Sequence, residues 1–265
     1  MSGYMGKYVI INLSSGKQEI VKPGDEFYKK YLSGYGLGAA VITERQKAGI
    51  DPLSPEAHFG FCSGLLTGTG AYFSGRFMVV GKSPLTGGWG DANSGGKLSV
   101  EIKKAGFDAI FFTGKAKSPV WVYVNDGKIE IKDAKKLWGK DTIETEEEIQ
   151  KELKDKKVQV ASIGKAGEKK SLISGIVTDG GRIAARSGLG AVMGSKNLKA
   201  IVVRGHRPSN LPPAFRELAR HAFAQVRDHP ATAGLHKWGT VHLVAIKNQI
   251  GDLPARNHQA GQVPW

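Results

Sequence analysis

Hydrophobic and polar positions alternate between residues 4 and 22. YVIINL, a Ser-Ser-Gly turn and KQEIVK together predict a β-hairpin. From Asp25 to Leu32 the apolar points Phe27, Tyr28 and Tyr31 fall at helical spacing, and Gly34 to Gly38 closes that turn. A second short helix is predicted over 38–47. Residues 58–66 and 76–82 are apolar enough for strands, with the Gly/Thr/Ser stretch Thr67 to Gly75 between them. Ser83 to Gly96 (SPLTGGWGDANSGG) is made almost wholly of turn formers and predicts a long ordered loop, a kind that usually carries function.

Downstream, the pattern predicts a helix over 97–105, then strands in DAIFFTG and VWVYVNDGKIEIKD, the latter turning on Asn125-Asp126-Gly127. A charged helix over 141–154 has N-caps at Asp141-Thr142 and a Glu-rich first half that suits the helix dipole. A strand at 158–163, another near 171–177, a glycine-rich elbow at 180–190 and a last strand at 199–204 follow. Strands come in hairpins rather than in strict strand–helix alternation, which predicts α+β layers instead of a Rossmann sheet. After Arg204 the texture changes: Pro208, Pro212 and Pro213 mark a boundary. Residues 214–250 read as two helices broken near Pro230, and Gly251 to Trp265 reads as loop.

Composition adds three constraints. The formal charge of +14 favours polyanionic partners: nucleic acid, an anionic surface or a phosphorylated ligand. Glycine, at 36 of 265 residues, is about twice as common as usual without any repeat, as expected where backbone must approach something closely. A single cysteine, Cys62, excludes an internal disulfide and a self-contained cysteine metal site. No apolar run reaches the roughly 20 residues of a membrane span. The amino-terminal segment lacks a signal-peptide layout, so a cytoplasmic protein is the expectation.

Three glycine-rich segments carry the candidate chemistry: Ser74-Gly75-Arg76, Asp91 to Gly96, and Gly180 to Gly190. Arg76 and Arg182 offer forked donors suited to phosphate, Asn93 offers both donor and acceptor, and the amides of Ser94, Gly95 and Gly96 precede a predicted helix. There is no P-loop, and Gly188-x-Gly190-x-x-x-Gly194 is one residue off the Rossmann spacing. From the residues alone, a phosphate-bearing ligand held by three loops and a set of turn glycines with two surface arginines both stand.

The wording of the loops goes further. DPLSPE (51–56), LTGTG (66–70), GRF (75–77), KSPLTGG (82–88), ANSGG (92–96) and AGFDAI (105–110) resemble the aldehyde:ferredoxin oxidoreductase family, in order along the chain. So do LWGKDTIETE (137–146), SIGKAGE (162–168), GAVMGSKNLKAI (190–201), KWGT (237–240) and LPARNHQ (253–259). The resemblance implies an α+β fold: a layered two-sheet domain with flanking helices over 1–207, followed by the beginning of an all-helical domain over 208–265. It implies a tungsten- or molybdenum-bis-pyranopterin whose phosphates are bridged by magnesium. Arg76, Asn93, Ser94, Gly95 and Gly96 would bind it on one side. On the other side would be the Gly181–Gly188 loop, with Arg182, Ile183, Ala185 and Arg186. The backbone carbonyls of Asn93 and Ile183 would hold the magnesium. Ile183 and Ala185 are bulkier than the alanine and glycine usual there. A [4Fe–4S] cluster is implied on cysteines downstream of position 265 or on a partner chain, with an aldehyde as substrate and ferredoxin or an electron-transfer subunit as partner. No residue of this chain is implied as a general acid or base.

Other features read as ordinary. Cys62 lies in an apolar strand and fits a small buried hydrophobe. The histidines at 206, 221, 229, 236, 242 and 258 lack ligand spacing for zinc. The lysines are spread rather than clustered, without an aromatic RNA-binding pattern, so nucleic acid is not an expected partner. A non-catalytic split subunit or pterin-binding module, needing a partner chain, is the alternative to the enzyme part.

Overall fold

The computed structural model describes residues 3–208 and 213–264, in two compact units, Met1–Pro212 and Pro213–Trp265. The first half of the first unit runs β1 (Tyr8–Asn12), β2 (Gln18–Val21), α1 (Asp25–Tyr31), α2 (Tyr35–Arg45), β3 (Phe59–Ser63), β4 (Phe77–Lys82), β5 (Trp89–Ser94), α3 (Leu98–Lys104) and β6 (Ala109–Thr113). The second half runs β7 (Val120–Asn125), β8 (Lys128–Asp133), α4 (Thr142–Leu153), β9 (Gln159–Ser162), α5 (Lys165–Glu168), β10 (Ile176–Thr178), β11 (Arg182–Ala184), α6 (Leu189–Ser195) and β12 (Leu198–Arg204).

The two halves share one topology. Sheet A has the order β2-β1-β6-β3-β4-β5, and sheet B, read from its other edge, has β8-β7-β12-β9-β10-β11. In each, the last strand of the half is inserted parallel to the first, and every other pairing is antiparallel. The registers correspond as well. Tyr8, Ala109, Cys62, Met78 and Asn93 form one row across sheet A. Trp121, Ala200, Ser162, Val177 and Ile183 form the equivalent row across sheet B. Chain order and pairing therefore describe an internal duplication with Asn93 and Ile183 at matching positions.

The core follows from the alternation of side chains across each sheet. Val9, Phe61, Val79 and Ile110 of sheet A share one cluster with Val122, Ala161 and Ile201 of sheet B. Leu98 and Ile102 of α3 and Leu189, Val192 and Met193 of α6 join the same cluster, so helices also fill the layer between sheets, not only the outer faces. The outer face of sheet A is covered by Tyr28 of α1 and by Leu37, Val41 and Ile42 of α2, over Tyr8, Phe111 and a fully buried Cys62 whose thiol pKa burial pushes up. On sheet B, Ile149 of α4 covers Trp121, Val160 and Val202. That helix starts on a capping box: Asp141 accepts from the Ile143 and Glu144 amides, and Glu144 returns a bond to the Asp141 amide.

Four expectations need correction. The Ser83–Gly96 stretch is not a continuous loop, because β5 occupies Trp89–Ser94 and pairs with β4. Its inward positions are Gly90, Ala92 and Ser94, small residues that carry no hydrophobic alternation for a sequence pattern to detect. Likewise the 180–190 elbow contains strand β11, and the strand expected near 171–177 begins only at Ile176. In the second unit, α7 (Pro213–Arg227) ends before Pro230 as the pattern requires. Beyond it come two helices, α8 (Ala233–Trp238) and α9 (Val244–Gln249), with 3-10 turns at Pro230–Thr232 and Gly239–Leu243, where one helix was expected. The tail closes with a single bridge between Ala255 and Ala260.

Lys196, wholly buried at the end of α6, ties two remote segments to that helix by donating to the carbonyls of Ser54, Pro55 and Gly114 at 3.2, 3.0 and 3.4 Å. Burial pulls its pKa down to about 7, against a weaker upward pull from Glu56. The folded state therefore releases this proton at lower pH than the unfolded chain, whose lysine titrates near 10.5. Between those values the unfolded state binds more protons, so stability rises with pH, by at most roughly 1.4 kcal/mol per pH unit for one group. The urea midpoint is expected to rise between pH 7 and 9. Lys196→Met should remove a large part of that rise, while Lys103, lowered to about 8 by burial, supplies a residual slope of the same sign.

Candidate cofactor-binding site

The edge strands of the two sheets, β5 and β11, come together, and all three glycine-rich segments meet there. Two contacts hold the edges. The Ser187 hydroxyl accepts from the Asp91 amide at 3.1 Å and donates to the Asp91 carbonyl at 2.9 Å. Asp179 accepts from the Lys97 amide at 2.9 Å. Both bridging residues sit in the left-handed region, Ser187 at φ 64 and Asp179 at φ 50. Asp179 opens the β10–β11 turn, followed by Gly180 at φ 67 and Gly181 at φ 128, and the Gly181 amide closes on the Thr178 carbonyl at 3.2 Å. Three successive positive φ values are steric territory for Asp and Gly, which explains the Asp-Gly-Gly sequence. The Gly180 amide in turn donates to Glu146 of α4 at 3.0 Å, and burial, aided by the Asp179 charge, raises the Glu146 pKa.

Arg76 and Arg182 reach this junction from opposite sheets. A Cβ built on Gly95 would lie 3.7 Å from an Arg182 guanidinium nitrogen and 3.8 Å from one of Arg76. Arg76 is braced by Asn93, whose side-chain oxygen accepts from its Nε at 2.7 Å and also from Nη2. Both arginines are exposed, and neither makes an ion pair among the described residues. Two uncompensated guanidinium groups beside an open glycine backbone form a donor set for a phosphorylated or otherwise anionic group.

The remaining expected residues divide. Gly95 and Gly96 lie at the junction. The Ser94 side chain is buried and donates to the neighbouring Gly95 carbonyl at 3.3 Å. Ile183 is exposed on β11, and Ala185 and Arg186 are exposed just beyond it. Arg186 acts electrostatically on Tyr35, whose hydroxyl donates to Asp91 at 2.5 Å, a bond that raises the tyrosine pKa.

Residues 8–205 match the family described as aldehyde ferredoxin oxidoreductase, N-terminal domain. The chain belongs to this family. It is 48% identical over 264 residues to a tungsten-containing aldehyde ferredoxin oxidoreductase of Pyrococcus horikoshii, covering 98% of this chain and 44% of that protein. It is 36% identical over 231 residues to an aliphatic sulfonate oxidoreductase, WOR-like subunit, of Pyrococcus furiosus, covering 81% and 36%. Among solved structures, the active site complex BamBC of benzoyl coenzyme A reductase, in complex with 1,5-dienoyl-CoA, superposes with a TM-score of 0.83 at 37% identity, over 85% of this chain and 35% of that one. The chain spans less than half the length of these relatives.

Within this member of the aldehyde ferredoxin oxidoreductase family, sequence reasoning gave no role to Tyr35, Asp91, Glu146, Asp179 and Ser187, although Asp91 and Ser187 lie within its glycine-rich segments. All five act on backbone or on another side chain across sheets or helices. Only the positive-φ turn at Asp179-Gly180-Gly181 leaves a local trace in the sequence. Gly96 shows how tightly the junction is built: at φ 119, an added Cβ would stand 2.2 Å from an Asp179 carboxylate oxygen. Gly96→Ala is expected to cost about 3 kcal/mol, from backbone strain plus disruption of the Asp179 bridge. Gly16→Ala, at φ 75 with nothing within 4 Å, should cost only about 1 kcal/mol. Thermal melts of the two variants check this, with roughly 5–10 °C lost in the first and a few degrees in the second.

Proposed function

We propose that this chain holds the phosphate side of a tungsten- or molybdenum-bis-pyranopterin and forms the cofactor-binding part of an oxidoreductase that converts aldehydes to carboxylic acids, with ferredoxin as electron acceptor. The observation that carries the reading is the convergence of Arg76 and Arg182 on Gly95 at the meeting of two equivalent sheet edges. A cofactor with two like halves fits a protein surface with two like halves. Asn93 and Ile183, at matching register positions on the two edge strands, are the pair whose carbonyls would hold a bridging magnesium. A carbonyl ligand is indifferent to the side chain it belongs to, so asparagine and isoleucine serve equally. The bulk of Ile183 then adds apolar surface beside the cofactor rather than a bond to it.

When bound, such a cofactor supplies the two-electron chemistry by which an aldehyde and water give a carboxylic acid, two protons and two electrons. The work of this chain is binding. Arg76 and Arg182 would neutralise phosphate charge, Asn93 would fix the Arg76 fork, and Asp91–Ser187 would keep the edges at one spacing. No side chain of the junction is assigned a proton transfer. The [4Fe–4S] cluster that would relay electrons to ferredoxin is assigned to residues outside this chain, or to a partner subunit.

Arg76→Lys distinguishes a shaped cradle from diffuse positive charge. A guanidinium bridges phosphate with two parallel bonds, whereas an ammonium acts as a point charge. Losing one such bond costs roughly 1.5–3 kcal/mol, about ten- to a hundredfold in affinity. Tungsten and pterin per folded protein are expected to fall to about a tenth or less in Arg76→Lys and to stay near the parent value in Lys97→Ala. Equal losses in the two variants would mean that net charge, not the cradle, retains the cofactor.

A further inference from the structure

The two arginines of the cradle are held in different ways. Arg76 is fixed at its head, where the Asn93 side-chain oxygen accepts from Nε and Nη2. The Arg182 guanidinium makes no hydrogen bond or ion pair among the described residues, so its place is set by its own backbone. That backbone has little sheet support. Arg182 is the first residue of β11, an edge strand of 3 residues that is paired only with β10. Where the guanidinium stands therefore depends on the Asp179-Gly180-Gly181 turn that leads into it.

Hydrogen bonds, not packing, hold this turn. A Cβ built on Gly180 or on Gly181 would meet nothing within 4 Å. The turn hangs instead between two helices. At one side the Asp179 carboxylate accepts from the Lys97 amide, just before α3. At the other the Gly180 amide donates to Oε2 of Glu146 on α4 at 3.0 Å.

The base on which Glu146 stands is firm. Its neighbour Thr145 is wholly buried and donates back to the Asp141 carbonyl at 2.5 Å, and Ile149 packs into the core. Gln150 donates to the other Glu146 oxygen at 3.4 Å. The remaining acids of the helix are engaged locally: Glu144 closes the capping box, Glu148 pairs with Lys140 and Glu152 with Lys132. Among the described residues only Glu146 of this helix takes a backbone group of another element. We propose that Glu146 is a positioning residue of the cofactor cradle, holding through the Gly180 amide the turn that aims Arg182 at a phosphate group. The role rests on the cradle reading given above. It belongs to the acceptor oxygen and its reach rather than to negative charge, which Asp179 and Glu147 also bring to the same place.

The test uses the 265-residue chain with inorganic sulfate, a dianion whose charge stays constant from pH 4 to 8, followed by amide resonances and hydrogen exchange. Glu146→Ala should weaken sulfate binding at the Gly95 amide about three- to tenfold and speed exchange of the Gly180 amide by a similar factor. Glu146→Gln keeps an acceptor at the same reach and should bind sulfate within about twofold of the parent. Glu146→Asp keeps the charge but is one methylene shorter, and should behave like Glu146→Ala. Burial and the charges of Asp179 and Glu147 raise the Glu146 pKa against the pull of the Gly180 amide. The Gly180 resonance of the parent should therefore show an inflection above pH 4.5, absent from Glu146→Gln. Parent-like sulfate affinity and Gly180 exchange in Glu146→Ala would overturn the role. So would parent-like affinity in Glu146→Asp together with a loss in Glu146→Gln, which would assign the effect to charge. Sulfate affinity that ignores Arg182→Gln and Arg76→Lys would remove the cradle itself, and this role with it, whereas affinity that senses both arginines but not Glu146→Ala would remove this role alone.

Discussion

The meeting of β5 with β11 is the constraint on which the candidate site depends. Two separate sheets contribute one arginine each, and neither arginine is within its own sheet's power to aim at the other. The Ser187 hydroxyl, bonded to both backbone groups of Asp91, and the Asp179 carboxylate on the Lys97 amide are what fix the distance. Both are bonds from a side chain to backbone, so they locate the main chain itself rather than a rotamer. The cost is visible as backbone strain. Ser187 at φ 64 and Asp179 at φ 50 occupy a region that most side chains avoid, and such residues persist only where the surroundings over-determine them.

Duplication explains why a junction of this kind forms at all. Each half presents an edge strand with unpaired backbone groups, a feature that folded proteins cover or blunt. Here the two edges lie together at a place rich in glycine, which keeps the backbone open where a ligand would approach. The same duplication makes differences between the halves informative. Asn93 matches Ile183, so what the two positions share is the main chain.

Charge at the junction runs against stability and in favour of binding. Arg76 and Arg182 stand close together without a carboxylate between them, and Asn93 braces the first with a neutral oxygen rather than a charge. An acidic neighbour would relieve the repulsion and at the same time occupy the donors. The carboxylates that are nearby, Asp91, Asp179 and Glu146, are each engaged with Tyr35, the Lys97 amide and the Gly180 amide. The arrangement leaves positive charge available in one place while holding the surrounding loops.

Much of this was legible from the sequence because it depends on local rules. The period-2 pattern gave β1, β6 and the β7–β8 hairpin, the Asp141 cap gave the start of α4, and the loop wording gave the family together with Arg76, Asn93 and Arg182. Strand β5 escaped because Gly90, Ala92 and Ser94 make its inner face with small residues, and β11 because three residues are too few to show a period. Equally hidden was the insertion of β6 beside β1 and of β12 beside β7, pairings between residues roughly a hundred positions apart in the first case and roughly eighty in the second, which no local window of the chain contains. The sequence by itself determined which residues could grip an anion, since that follows from side-chain chemistry and the freedom of glycine. Only the tertiary structure decided which of them converge, because convergence depends on the twofold repetition of a sheet topology and on single side chains, Ser187 and Asp179, that bond across it.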